Sequence, residues 1–326
     1  MSKKSVVVTA LCHSFIEIVK YLNARLVFLP NFAISMRIVL SIVIVFCLYS
    51  GANCQYLDLA KVEYTVAPGD DANFSYNSKR ILFNVPFRIH DKAYFFAGVD
   101  YTATNINLRE EMDSYDKSDT DNFTEIDLNL TYTSMMNNDW RFGVQITPSV
   151  NSNLQDGLMS QDLLMSGVIV FVKDKKNSDS AKKPFRIIAG LSYSTNSRRP
   201  IPFPFISYYR KFHRKWSYNV GAPVSNVQYH ISEKHRIKVY AEGDGFNAHI
   251  QNGVIVNEMD RANRLRMLLI LTGLRYEYKV SKHIESYLNV TRTVFSDVQL
   301  RDDMENVFVP AIDNLMHYRI GLRCKI

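Results

Sequence analysis

Hydrophobic and polar residues alternate along much of this chain with a period of two. In IDLNLTYTSMMNNDWRFGVQITPSV, residues 126–150, Ile126, Leu128, Leu130 and Tyr132 share one face, and Glu125, Asp127, Asn129, Thr131 and Thr133 the other. After Asn137-Asn138-Asp139 the pattern resumes, with Trp140, Phe142, Val144 and Ile146 opposite Arg141, Gly143, Gln145 and Thr147. This spacing predicts a β-hairpin with one apolar and one polar face. The same period recurs at Ile81, Phe83, Val85, Phe87 and Ile89, opposed by Arg80, Asn84 and Arg88. It recurs again at Leu268, Ile270, Leu274, Tyr276, Tyr278 and Val280, opposed by Gly273, Arg275, Glu277 and Lys279.

Strands are predicted near 57–66, 79–89, 93–108, 122–135, 140–150, 162–173, 184–195, 204–212, 216–220, 224–231, 236–244, 263–280, 284–296 and 315–326. That is an even count of 14, with 12 and 16 as alternatives because 216–260 is ambiguous. There "NVGAP" interrupts a short pair, and Asp244-Gly245 and Asn252-Gly253 each have the composition of a tight hairpin. Short turns at 90–92, 137–139, 213–215, 232–235 and 281–283, with a lysine-rich link at 173–183, alternate with longer polar loops near 67–78, 109–121, 151–161, 195–203, 245–262 and 297–314. Short turns at one end and long loops at the other describe an all-β, antiparallel, up-and-down transmembrane β-barrel, with the short end periplasmic.

A soluble sandwich fits the alternation equally well, with the apolar faces inside. Three features favour the membrane. The polar faces carry glycine and opposite charges at mid-strand (Glu125, Asp127, Arg141, Arg275, Glu277, Arg319, Arg323), which suits a hydrated lumen. Tyr94, Trp140, Tyr193, Tyr208, Trp216 and Tyr318 lie near strand ends, where aromatic girdles meet the bilayer interfaces. The ending "YRIGLRCKI" is similar to the terminal signal read by barrel-assembly machinery, through Arg319, Gly321, Cys324 and Ile326, although it closes on Ile326 rather than an aromatic residue. These features predict that Ile126, Leu128, Leu130, Tyr132 and Phe142 face lipid and that the charged residues face the lumen.

Residues 36–54, MRIVLSIVIVFCLYSGANC, have the layout of a secretory signal: Arg37, an apolar run of 12 from Ile38 to Tyr49, and cleavage before Gln55. That run is too short for a membrane helix, which needs about 20 residues. The organisation expected is therefore an extended or misassigned start at 1–35, a signal at 36–54 and a barrel domain at 55–326. After cleavage only Cys324 remains, so no internal disulfide is expected. The formal charge of +7 drops to +3 without the first 54 residues, which gives no support for a nucleic-acid partner.

The signal before Gln55, the block WSYNVGAPVSNVQYHISEKHRIKVYAE and the YRIGLR ending are similar to an uncharacterised family of outer-membrane β-barrel proteins of the Bacteroidota and related bacteria. The resemblance implies a fold and a location in the outer membrane of a Gram-negative bacterium. It implies contact with lipid, lipopolysaccharide and the assembly machinery, but no activity.

Catalysis is not expected, and no cofactor is. Among the mature histidines only His249 falls in a predicted long loop, with Asp244 nearby. The long loops sum to −10 and the short links to +5, so the outer end is acidic and the periplasmic rim basic. Glu110, Glu111, Asp113 and Asp116 are weak candidates for divalent cations at those loops. The function expected is a passive or selective channel for small solutes or ions. The alternative is a non-conducting barrel that binds through its acidic loops. Luminal charges either segregate into a selective field or pair into a plugging ladder, and register decides which.

Overall fold

The computed structural model describes residues 57–69, 74–108, 122–137, 139–175, 184–195, 201–255, 261–302, 305–308 and 315–325. Fifteen strands run in chain order: β1 (Asp58–Ala67), β2 (Phe74–His90), β3 (Ala93–Leu108), β4 (Asn122–Met135), β5 (Trp140–Ser152), β6 (Leu163–Asp174), β7 (Phe185–Ser194), β8 (Phe203–Lys211), β9 (Trp216–Gly221), β10 (Val224–His230), β11 (His235–Ile255), β12 (Arg261–Lys279), β13 (Ile284–Asp302), β14 (Glu305–Phe308) and β15 (Met316–Lys325). Each strand pairs antiparallel with its chain neighbours, except that β14 is a short extension lying against β13 alone. β15 joins β13 on one side and β1 on the other, and β12 pairs with β13. The result is a closed 14-stranded antiparallel barrel.

Closure and alternation together make this a membrane fold. Large apolar side chains point outward and remain uncovered, among them Leu128 (44% exposed), Leu274 (54%) and Ile320 (58%). A water-soluble barrel of this length would not leave such a belt bare, whereas in a bilayer it meets hydrocarbon. The ladder meanwhile satisfies the backbone groups that lipid cannot. No helix among the described residues is long and apolar enough to cross a membrane.

Several elements outrun their sequence boundaries. β2 begins at Phe74 rather than 79, β13 continues to Asp302, and β11 runs 21 residues to Ile255 through what the sequence suggested was a loop at 245–262. Asp244-Gly245 is mid-strand, not a hairpin, because Asp244 and Gly245 sit in unbroken register with Leu269 and Leu268 of β12. Asn252-Gly253 is a bulge: both residues have positive φ (64° and 58°), and the register with β12 shifts there without the strand turning back. Residues 1–54 and the loop acids Glu110, Glu111, Asp113 and Asp116 lie outside the described residues, as does Ile326.

The upper ends of the long strands are closed differently from the rest. Facing inward from β3, β4, β11, β12 and β13, the buried side chains of Ile106, Phe123, Phe246, Ile250, Leu265, Leu269 and Leu300 form one apolar cluster. Phe123 and Phe246 meet edge to face at 5.4 Å. This contradicts the expectation of a polar lumen along the whole barrel. The inner face of β12 is apolar from Leu265 to Leu271, and between Met267 and Leu271 the strand is apolar on both sides.

Replacing outward-facing Leu128 by Arg should destabilise the barrel by about 2–4 kcal/mol if that position lies near the bilayer midplane. Urea unfolding from lipid vesicles, read by heat-modifiable gel mobility, checks it. An effect within about 0.5 kcal/mol of zero would mean the face does not meet lipid.

Candidate functional site in the barrel lumen

Every second residue of the lower strands points inward, and the register sets which charges meet. Two hubs dominate. In the first, Arg319 of β15 donates to Glu242 (2.8 Å), Asp244 (2.6 Å) and Thr65 Oγ1 (3.0 Å), with Glu63 3.9 Å away. Tyr287 donates its hydroxyl to Glu63. In the second, fully buried Glu277 receives Lys238 (2.6 Å), Arg236 (2.5 Å) and Arg323 (3.1 Å). Adjacent Glu285 takes Arg236 (2.7 Å), Lys325 (3.3 Å) and Arg323. Two carboxylates thus hold four cations. On the adjoining wall, Arg80 of β2 grips Asp100 of β3 through both carboxylate oxygens.

Of the sequence candidates, Glu277 and Arg323 belong to the second hub and Arg319 centres the first. Glu125 and Asp127 lie on the inner face of β4, and Asp127 is opposite Asp100 in register, so acids gather on that wall. Arg275 lies between the rings of Tyr240 (5.1 Å) and Tyr287 (4.9 Å), donating to neutral Asn289 at 2.8 Å. No carboxylate among the described residues lies within ion-pairing distance of Arg275. Arg141 lines a separate cavity of about 270 Å³ beside Val168, Val170 and Val172.

Sequence reasoning missed most of what surrounds the main luminal cavity, which measures about 620 Å³. Its lining includes Lys61, Arg80, Arg186, Arg236, Lys238, Arg275, Arg323 and Lys325, against Asp58 as the single acid among the described residues. Glu277 and Glu285 sit behind their cations, so the surface offered to a solute is basic. On the opposite side Ile188 and Phe205 complete the lining. This apolar wall extends to Val168 and Val170 of β6, and the unbroken run Val168–Val172 signalled a strand apolar on both faces.

At the upper end the free edge of β11 meets the top of β5, while its other edge stays paired with β12. His249 forms a parallel bridge with Ser152 of β5, in a barrel otherwise wholly antiparallel. Polar groups fasten it: Asn153 N–H donates to the His249 carbonyl (3.3 Å) and Gln251 N–H to Asn153 Oδ1 (2.9 Å). Gln251 Nε2 and His249 Nδ1 each lie 2.7 Å from an oxygen of buried Asp162. The sequence had placed Asp244 near His249; the structure gives Asp244 to Arg319 and Asp162 to His249, because those two residues of β11 project from opposite faces.

The Asp162 carboxyl, in the loop above the membrane, is held below its usual range. Burial alone would raise it, but hydrogen bonds from Met159 N–H, His249, Ser152 and Gln251 outweigh that. A depressed folded-state pKa contributes stability that is complete above the unfolded value, about 4, and is lost as the pH falls through the folded value. The latch is therefore fully formed at neutral pH and weakens only in strong acid.

Fold and lumen together define a transmembrane β-barrel with a solute-sized, cation-lined lower interior and an apolar cluster at its upper end. Residues 75–324 match the family described as Domain of unknown function (DUF6268), and the chain belongs to that family. Among solved structures it is similar to the COG4313 outer membrane channel from Pseudomonas putida F1, with 9% identity over 85% of this chain and 99% of that one and a TM-score of 0.44. It is also similar to LpxR from Salmonella typhimurium (8%, 82% and 100%, TM-score 0.37) and to the NanC porin (11%, 82% and 100%, TM-score 0.36). Likenesses this remote carry no functional information. No curated protein matches the chain significantly.

Asp162→Asn should speed exchange of the Asn153 and Gln251 amides roughly ten- to a hundredfold at neutral pH, the worth of one or two hydrogen bonds to a charged group. Wild-type protection of those amides should persist above about pH 4 and fall below it. Equal exchange in variant and wild type would show that the latch does not hold the strand.

Proposed function

We propose that this protein is an outer-membrane barrel, exported through a cleaved signal, that admits and selects small anions. The observation carrying this reading is the 620 Å³ cavity, whose lining includes eight cations and one carboxylate. Low-dielectric walls focus such a field, so that a basic lumen concentrates anions and repels cations. The second hub supports the reading: it fixes Arg236, Lys238, Arg323 and Lys325 in position on two carboxylates and leaves the excess positive charge facing the cavity. The Arg319 hub is acid-rich, but Glu63, Glu242 and Asp244 are not among the cavity's described lining residues. Arg275, flanked by two tyrosine rings and in no ion pair among the described residues, offers a guanidinium already oriented for a carboxylate or phosphate.

The apolar cluster and the latch across the upper lumen favour a gated passage over a permanently open pore. The acidic-loop alternative rests mainly on the acids of 109–121, which lie outside the described residues, and on Asp302, which accepts from Asn263.

Protein extracted from membranes and reconstituted in planar bilayers under a salt gradient tests this directly. Wild type should give an anion-selective reversal potential, and Lys61→Gln with Arg275→Gln should move it towards zero by tens of millivolts. A cation-selective potential, or one unmoved by both substitutions, would contradict the reading.

A further inference from the structure

β9 and β10 are too short for the membrane they stand in. They have six and seven residues, while a tilted strand needs about 9–11 to cross the hydrocarbon. Their connection, Ala222-Pro223, therefore turns back inside the apolar belt. It is a built turn, not a frayed end. Ala222 N–H donates to Ile206 of β8 at 3.0 Å, and Gly243 N–H of β11 donates to Pro223 at 3.3 Å, so both neighbours clamp it. Ser225 Oγ accepts from Gly221 N–H at 2.9 Å, and Asn219 Nδ2 donates to Val224 O at 2.6 Å. Gly221 is required there: at φ 130° a Cβ would lie 2.0 Å from the Ile206 carbonyl oxygen.

Above this sill the wall has a gap. β11 pairs with β10 only as far as Glu242, and its next partner on that edge is Ser152, opposite His249. Among the described residues no strand lies beside Gly243 to Ala248 on that edge. Lipid does not tolerate an open sheet edge, so such an edge must line a cavity. The outward face of β11 changes character at the same level. Below the sill it carries Ile237 and Val239. Above, it carries Gly243, Gly245 and Asn247, even though Gly243 and Gly245 pair with Ile270 and Leu268 of β12, which are exposed on the apolar belt. A Cβ at Gly243 would meet nothing within 4 Å. Ala222, Pro223 and Val224 of the sill also line the basic cavity.

We infer that the gap between β8 and β11 is a lateral portal joining the bilayer to the lumen, and that its ligand is an amphipathic anion, an apolar body bearing a carboxylate or phosphate. The cavity behind it matches that chemistry on both sides. Phe205 and Ile188 offer an apolar wall, and Arg275, Lys61 and their neighbours a cationic one. The apolar cluster that fills the upper lumen leaves the side as the route for a bulky amphiphile on the bilayer's outer half, while a small anion takes the gated axial passage. The inference rests on the anion reading above and adds the route and the apolar part of the ligand.

The test uses membrane-extracted protein in liposomes, with a dansyl-labelled fatty acid added to the bilayer and acetate as the small hydrophilic anion. Gly243→Trp fills open space and should leave folding intact, with Gly243→Ala as control. Capture of the dansyl probe by the lumen should slow about tenfold or more in the tryptophan variant, within the range that one interface's on-rates span, while acetate flux stays unchanged. Unchanged probe capture in that variant, or an equal loss for both anions, would overturn the portal. Wild type that passes acetate but captures no dansyl probe would overturn it and leave the anion reading standing. Wild type that does neither would overturn both.

Discussion

Everything in this molecule follows from the requirement that a backbone in lipid satisfy its own hydrogen bonds. A sheet meets that requirement only by closing, and the chain closes by bringing its last strand between β13 and β1. Once the ring is shut, alternation does the rest. One set of side chains is forced outward into hydrocarbon and the other inward, where charge is tolerable only if paired or wet. The Arg319 and Glu277 hubs are the consequence. Four strands contribute to each, so the register of β11, β12, β13, β15 and β1 is written into them.

The same requirement makes the exceptions informative. A ladder that is complete nearly everywhere is interrupted between β8 and β11, where two strands stop short and the freed edge of β11 next meets β5. β11 carries that diversion through its composition. It is apolar outward where lipid lies against it, glycine-rich where the neighbouring strand ends, and polar where His249 and Gln251 reach Asp162. The barrel is thus two regions in one wall: a wide, charged lower lumen, and an upper lumen narrowed by β11 and filled with aliphatic and aromatic side chains.

Much of this was legible in the sequence. Period-two alternation located every strand of the ring within a few residues for most of the chain, because a half-buried strand can hide its apolar side chains in no other way. It failed where both faces are apolar or both are polar. Val168–Val172 and Leu265–Leu271 gave no alternation to separate lumen from lipid. Residues 245–255 looked like loop because glycines and polar residues fill the outward positions of a strand that does not meet lipid there. The luminal charges were nameable, since Arg275, Glu277, Arg319 and Arg323 fall at mid-strand on polar faces. Their partners were not. Glu277 faces Arg236 from 41 positions away in the chain, and a one-residue slip would invert both. Nor did the sequence tie His249 to Asp162, a contact made because β11 bridges to the top of β5.

The central claim is that the lower lumen is an anion site. Its most direct test is a structure of the membrane-extracted protein soaked separately with bromide and with rubidium, each located by its anomalous scattering. The account predicts bromide inside the cavity, between Lys61 and Arg275, and no rubidium there. Rubidium in the cavity, or bromide found only on the outer surface, would contradict it.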